Sequence, residues 1–191
     1  MNRQQLWHAI RAACEIAGID SVIIVGSQSI LGSYSEEELP DATTASREID
    51  ILPDVESDRV EFLADVIEGV GGELSPFEET HGFALDGVDL TTCILPAGWR
   101  DRLVPVSNRS TRGIVSGIQY VGWCLDPADL CVSKLCAGRE KDRHFVFALF
   151  DAGLVDRDVV EQRLALVPTE HASAAVRART EFFGRPDASY G

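Results

Sequence analysis

The spacing of apolar residues in the first part of the chain alternates between helical and strand-like patterns. Residues 2–17 place their apolar side chains at helical spacing, which predicts an amphipathic helix. Residues 21–26 hold a run of valine and isoleucine ahead of a glycine, as expected for a strand that is buried on both faces. A second helix is predicted from Ser27, and residues 58–70 return to helical spacing for a third. Between them, residues 33–45 are rich in Glu, Thr, Ala and Ser and predict a loop.

The middle of the chain carries strand patterns and turn signals. Asp86-Gly87 lies between two short apolar segments and predicts a two-residue hairpin turn. This pattern favours Asp86 as a turn former over Asp86 as a ligand, and it places Asp89 on the polar face of the returning strand. Residues 114–125 are rich in Ile, Val, Tyr and Trp and predict the last strand of the sheet. We therefore expect residues 1–125 to form an α/β core, a small mixed sheet flanked by helices.

From Asp126 the apolar spacing changes to the helical period, so residues 126–191 are expected to form a C-terminal helical region that closes a cleft against the core. Lys134 follows Leu130 by one helical turn, close to the buried face. It either meets an anionic partner there or extends along the helix surface to water, whereas Lys141 is expected to be solvated. Two further helices and a frayed tail are predicted at 156–166, at 169–183 and from Gly184.

Two carboxylates stand close together on one predicted strand. Successive side chains of a strand point to opposite faces, so Glu48 and Asp50 share one face. Their Cα atoms would lie roughly 6 to 7 Å apart, close enough to hold one divalent cation or to bridge two. The alternative is a half-exposed strand whose polar face meets only water.

Composition limits the class of protein. The 191 residues suit one domain, or a core with a helical appendage. No apolar run approaches the roughly 20 residues that span a bilayer, and the N-terminus lacks the apolar core of a secretion signal, so we expect a cytoplasmic protein with no membrane partner. The five cysteines show no Cys-x-x-Cys spacing, which favours reduced thiols over a zinc site.

The net charge of −14 disfavours extended wrapping of a nucleic acid, because phosphate-binding proteins normally present a basic face. Two local basic groups are exceptions, at residues 100–112 and 134–143. They either give a small footprint for a nucleic acid or form solvated surface ion pairs.

The order of these features resembles the nucleotidyltransferase superfamily. Its signature is an apolar strand that ends in Gly-Gly or Gly-Ser, here Gly26-Ser27, followed by an acid-x-acid strand, here Glu48 to Asp50. The resemblance implies that Gly26 and Ser27 contact a nucleoside triphosphate and that Glu48 and Asp50 bind Mg²⁺ or Mn²⁺. It also implies a third metal carboxylate from a following strand, which here would be Asp89.

Within the superfamily, the sequence is similar to a bacterial branch of AbiE-type and MenT-type toxins over about residues 20–150. The shared features include a Leu-Pro-x-Gly-Trp-x-x-Arg loop and a Ser-Lys-Leu helix followed by Arg-x-Lys-Asp. The resemblance implies that Lys134 contacts the nucleotide phosphates and that Asp142 belongs to the catalytic centre, with Ser46 and Arg139 as further nucleotide-binding candidates. For Asp142 the alternative is a simple ion pair with Arg139, three residues earlier.

The resemblance implies transfer of a nucleoside monophosphate from an NTP to a hydroxyl group. The acceptor would be a tRNA 3′ end or a protein, and the chain would be a candidate toxin that pairs with a small antitoxin protein. Two other interpretations stay open at this point. The fold could have lost catalysis and bind a partner protein, or it could bind nucleotide as a regulator without turnover.

Overall fold

The computed structural model describes residues 1–184, which build a five-stranded mixed sheet covered by helices. The strands are β1 (Ser21–Ile24), β2 (Glu48–Pro53), β3 (Ala84–Gly87), β4 (Val104–Val106) and β5 (Val121–Cys124). The α-helices are α1 (Arg3–Ala17), α2 (Asp41–Thr44), α3 (Ser57–Gly71), α4 (Pro76–His81), α5 (Pro127–Ala137), α6 (Glu140–Asp151), α7 (Arg157–Leu164) and α8 (Ala172–Phe182). Short 3₁₀ helices occupy Ser27–Gly32, Trp99–Arg102, Arg109–Thr111 and Thr169–His171. The α/β class expected from the sequence is confirmed.

The sheet has the strand order β3-β2-β1-β5-β4. β1 lies in the middle, antiparallel to β2 and parallel to β5, and its Val22, Ile23 and Ile24 are fully buried. This burial confirms the two-sided strand that the apolar run predicts. On one side β3 runs parallel to β2, and on the other β4 runs antiparallel to β5.

Helices cover the sheet as the periodic patterns predict. α1 begins at a capping box in which the Asn2 and Gln5 side chains cap each other's backbone N–H groups, and it ends at Gly18 in the left-handed conformation. α3 packs on β3 and α1, and α5 is buried along almost its whole length among α6, α7 and α8. The predicted division of the chain into a core and a C-terminal region at residue 125 stays a prediction. The first helix after that point, α5, also packs on the 3₁₀ helix that follows β1.

The predicted hairpin at Asp86-Gly87 is wrong. These two residues belong to β3, which pairs in parallel with β2, and no strand returns from them within the described chain. A side chain at residue 87 would place its Cβ 1.9 Å from the carbonyl oxygen of Ala64 in α3. Glycine is therefore needed there for the close approach of helix and strand, not for a turn.

Three other segments differ from the predicted pattern. Of residues 114–125 only β5 is a strand, and Ile114 and Val115 are 81% and 98% exposed in a tight loop. The helix predicted from Ser27 is a 3₁₀ helix, and the predicted loop at 33–45 contains the short α2. The helical region is confirmed up to residue 182, whereas the predicted tail beyond Gly184 lies outside the described residues.

The remaining broad expectations concern thiols and membranes. All five cysteines are free, and four of them are buried. Across residues 1–184, no helix combines the length and the apolar character that crossing a bilayer requires.

Candidate active site

A cleft of about 780 Å³ lies beside β2 and β3. The turn after β1, the segment around Ser46 and Arg47, and residues 91–94 form part of its wall, and α5 and α6 close it. Core strands and C-terminal helices thus meet at one cavity.

The acidic side of the cleft is built by two neighbouring strands. Glu48 and Asp50 lie two residues apart on β2 and line the cavity, as strand alternation predicts. Asp86 lies directly opposite Asp50 on β3 and lines the cavity as well. Three carboxylates therefore share one face of the sheet, and the third of them is a residue that the sequence pattern assigns to a turn.

Burial raises the pKa of all three carboxyl groups, and negatively charged neighbours add to the increase at Glu48 and Asp86. Burial, with Asp50 and the nearby glutamates, raises the pKa of Asp86 to about 6. Burial also raises the pKa of Asp50, although Lys134 acts against it. For Glu48, burial and then the neighbouring Glu73 raise the pKa. A bound cation would oppose these pKa increases, because it favours the ionised form of each group.

Gly26 lets Asp50 lie directly against the backbone at the end of β1. A Cβ atom at residue 26 would fall 1.5 Å from Oδ2 of Asp50, a distance that no side chain can accept. The backbone N–H of Val25 donates to the carbonyl oxygen of Asp50 at 3.1 Å, which fixes the two strands beside each other. The Gly-Ser and acid-x-acid motifs are thus in direct contact at the cleft, where Gly26 and Ser27 form part of the wall.

The opposite wall carries a buried ion-pair group. Nζ of Lys134 lies 3.0 Å from Oδ1 of Asp142, and Nε of Arg139 lies 2.6 Å from Oδ2 of the same carboxylate. The Lys134 ammonium also lies 4.5 Å from the ring centroid of Phe145. Burial acts to raise the pKa of Asp142, but the hydrogen bonds from Arg139 and Lys134 outweigh it and lower the pKa below its ordinary value.

Of the other two residues that the sequence assigns to the site, Ser46 lines the cleft and Asp89 does not. Ser46 lines the cleft, where its Oγ accepts a hydrogen bond from the Glu48 N–H at 3.2 Å. Asp89 lies in the turn after β3, accepts hydrogen bonds from the N–H and the hydroxyl of Thr91, and is outside the cleft lining. The returning strand that would have brought Asp89 to the site does not form.

Sequence reasoning missed Asp86 and the contribution of Arg47 and Lys141, which all line the cleft. The sequence contained a signal for Asp86. The helical pattern of residues 58–70 separates the strand of Asp50 from the strand of Asp86, and a helical connection of this kind usually joins two parallel strands. Lys141 is exposed as expected, but it faces the cleft and acts electrostatically on Glu48 and Asp50.

The donor set suits a cation that is held only in part by protein side chains. No three His, Cys, Asp or Glu side chains within residues 1–184 are gathered closely enough to hold a metal ion by themselves. Mg²⁺ is usually bound through one or two carboxylates together with waters and substrate phosphates. Glu48 and Asp50, with Asp86 beside them, match that arrangement.

Comparison with known proteins gives one match. Residues 4–181 match the family described as "Nucleotidyltransferase of unknown function (DUF6036)". No curated protein and no solved structure matches the chain. The match covers most of the chain and includes every residue of the cleft, and the resemblance to the nucleotidyltransferase superfamily is thereby confirmed. The chain therefore belongs to this family of nucleotidyltransferases.

Proposed function

We propose that the protein is a metal-dependent enzyme that transfers a nucleoside monophosphate from an NTP to a hydroxyl group. The observation that carries the proposal is the meeting of Glu48, Asp50 and Asp86 with Lys134 in one cleft. Carboxylates for a metal lie on one side and a buried cation for phosphate lies on the other. The cavity of about 780 Å³ falls within the size range of small-molecule sites.

Each wall of the cleft has its own role in the proposed reaction. Glu48 and Asp50, assisted by Asp86, would hold Mg²⁺ or Mn²⁺, and Lys134 would bind phosphate oxygens, next to Gly26 and Ser27. When bound, the metal supplies charge stabilisation for the acceptor and leaving oxygens. Asp142 orients Lys134 and Arg139, because each of its oxygens already accepts a hydrogen bond from one of them.

The acceptor is proposed from the resemblance to AbiE-type and MenT-type toxins. It would be a tRNA 3′ end or a protein hydroxyl, and the chain would act as a toxin that a small antitoxin protein restrains. The net charge of −14 favours a small, salt-sensitive footprint on any RNA.

Binding of a nucleotide is tested by thermal unfolding. Mg²⁺ with a non-hydrolysable NTP should raise the Tm, because a ligand that binds only the folded state stabilises it. Asp50→Asn should remove this gain. An equal gain in Asp50→Asn would contradict the metal assignment. A wild-type protein that gains nothing with any of the four nucleotides would favour a catalytically degenerate fold that binds a partner.

A nucleotide-binding regulator without turnover is the other outcome to distinguish. It would show the Tm gain and its loss in Asp50→Asn, but no release of pyrophosphate from any NTP with total RNA or cell lysate as the source of acceptor. Pyrophosphate release that depends on both Mg²⁺ and acceptor supports the enzyme.

A further inference from the structure

The cleft lining carries four cations, and they differ in how they are paired. Lys134 and Arg139 are both bound to Asp142, whose side chain is only 1% exposed. Arg47 and Lys141 form no ion pair and no side-chain hydrogen bond within residues 1–184. The whole sequence contains only two lysines, Lys134 and Lys141, and both line the cleft.

The paired group cannot neutralise a polyphosphate by itself. Two cations and one carboxylate leave Lys134, Arg139 and Asp142 with a single net positive charge. A triphosphate brings several negative charges, and the three carboxylates on β2 and β3 add to them. The unpaired cations are therefore the charges in the lining that are still free to meet phosphate.

Both unpaired cations are attached to backbone that is held in place. Arg47 directly precedes β2, and its carbonyl oxygen accepts a hydrogen bond from the Ala84 N–H at 2.9 Å. Lys141 lies in the first turn of α6, beside Asp142. The short helix α2, which ends at Thr44 shortly before Arg47, packs on α6, the helix that carries Lys141.

We propose that Arg47 and Lys141 form a second phosphate-binding pair that takes the terminal phosphates of the nucleotide. Lys134 binds the same phosphate chain of the nucleotide at an inner, buried position. Arg47 offers a forked guanidinium and Lys141 a mobile point charge, both suited to phosphate oxygens. The inference rests on the proposed function, because it concerns the nucleotide of that site.

The test uses inorganic tripolyphosphate with Mg²⁺, which presents the phosphate chain without a base. Calorimetric titration of wild type is compared with the double variant Arg47→Ala/Lys141→Ala. We expect the double variant to bind tripolyphosphate at least about tenfold more weakly, and to lose much less affinity for orthophosphate. Its Tm should stay near that of wild type, because neither side chain has an ion-pair or hydrogen-bond partner among residues 1–184.

The matched control is Arg59→Ala/Arg109→Ala, which removes the same charge from two exposed arginines outside the cleft. It should bind tripolyphosphate as wild type does. An equal loss in the control would overturn the inference, because long-range charge alone would then account for the effect.

Three further results separate the inference from the proposed function. Unchanged tripolyphosphate affinity in the cleft double variant, with a loss in Lys134→Ala, overturns the second pair and leaves the nucleotide site standing. Unchanged tripolyphosphate affinity together with weaker binding of total tRNA would assign the pair to the backbone of the acceptor, against the inference. Absence of nucleotide stabilisation in wild type, measured separately, overturns the proposed function itself.

Discussion

Lys134 and Asp142 form a buried ion pair across the turn between α5 and α6, with Nζ and Oδ1 3.0 Å apart. Arg139 binds the other oxygen of the same carboxylate, so the predicted Arg139–Asp142 pair and the anionic partner expected for Lys134 are one feature. The Lys134 side chain is 11% exposed and lines the cleft, which favours an inward-facing ammonium over one that extends to bulk water. The pair fixes the cation of the proposed site before any nucleotide binds.

Asp142→Ala should destabilise the fold by about 3 kcal/mol, because it leaves the buried Lys134 without its carboxylate. Lys134→Ala should cost less stability, since Asp142 keeps Arg139 as a partner, but it should weaken nucleotide binding at least about tenfold. Urea unfolding of both variants and of the double variant gives their coupling energy. Full stability and full nucleotide affinity in Asp142→Ala would contradict its role in holding Lys134.

Gly26→Ala should remove the Tm gain from Mg²⁺ with NTP and should destabilise the protein by at least about 1 kcal/mol. The new Cβ would meet the Asp50 carboxylate at 1.5 Å and force it away from its position. Gly69→Ala in α3 is the matched control, because a Cβ there meets nothing within 4 Å. Nucleotide stabilisation that survives in Gly26→Ala would mean that the position of Asp50 against the backbone does not matter for binding.

The third carboxylate is tested by a pair of amide substitutions. Asp86→Asn should reduce the Tm gain from Mg²⁺ with NTP, since Asp86 lies opposite Asp50 in the cleft. Asp89→Asn should leave that gain unchanged, because Asp89 is engaged with Thr91 in the turn after β3. The reverse pattern would restore Asp89 as the ligand that the family resemblance implies.

His8 should make stability depend on pH below neutrality. Burial, with His81 and Arg11, lowers the pKa of His8 from 6.5 to about 4. Its neutral form is therefore the one that the fold favours, and stability should fall as the pH drops from the unfolded pKa toward the folded one. The ring packs 4.3 Å from that of His81 and 5.8 Å from that of Phe83, measured between centroids.

His8→Phe keeps an aromatic ring in this cluster and removes the titration. Between about pH 7.5 and pH 5 the Tm of wild type should fall more than that of the variant. Parallel Tm profiles for the two proteins would show that His8 does not contribute.

The sequence predicts those parts of the fold in which the burial of a single helix or strand determines the spacing of its apolar residues. β1 is buried on both faces and shows an uninterrupted apolar run, and α1 and α3 bury one stripe and show helical spacing. The Glu48 and Asp50 pair was predictable because both residues lie on a single strand.

The parts that the sequence does not predict depend on contacts between elements. Asp86 reaches the site because β3 pairs in parallel with β2. Gly87 is a glycine because α3 lies against it, although in the sequence the same glycine suggests a turn. The position of Lys141 at the cleft depends on the packing of α6 on α5 and α2, which a local spacing rule cannot supply.

The most direct test is transfer of label from an NTP. Each α-labelled NTP is incubated with the protein, Mg²⁺ or Mn²⁺, and cell lysate or total tRNA, and label is measured in RNA and in protein. We predict that label from at least one NTP enters RNA or protein, that Asp50→Asn transfers none, and that Asp89→Asn transfers as much as wild type. No transfer with any of the four NTPs, or equal transfer by Asp50→Asn, would contradict the account.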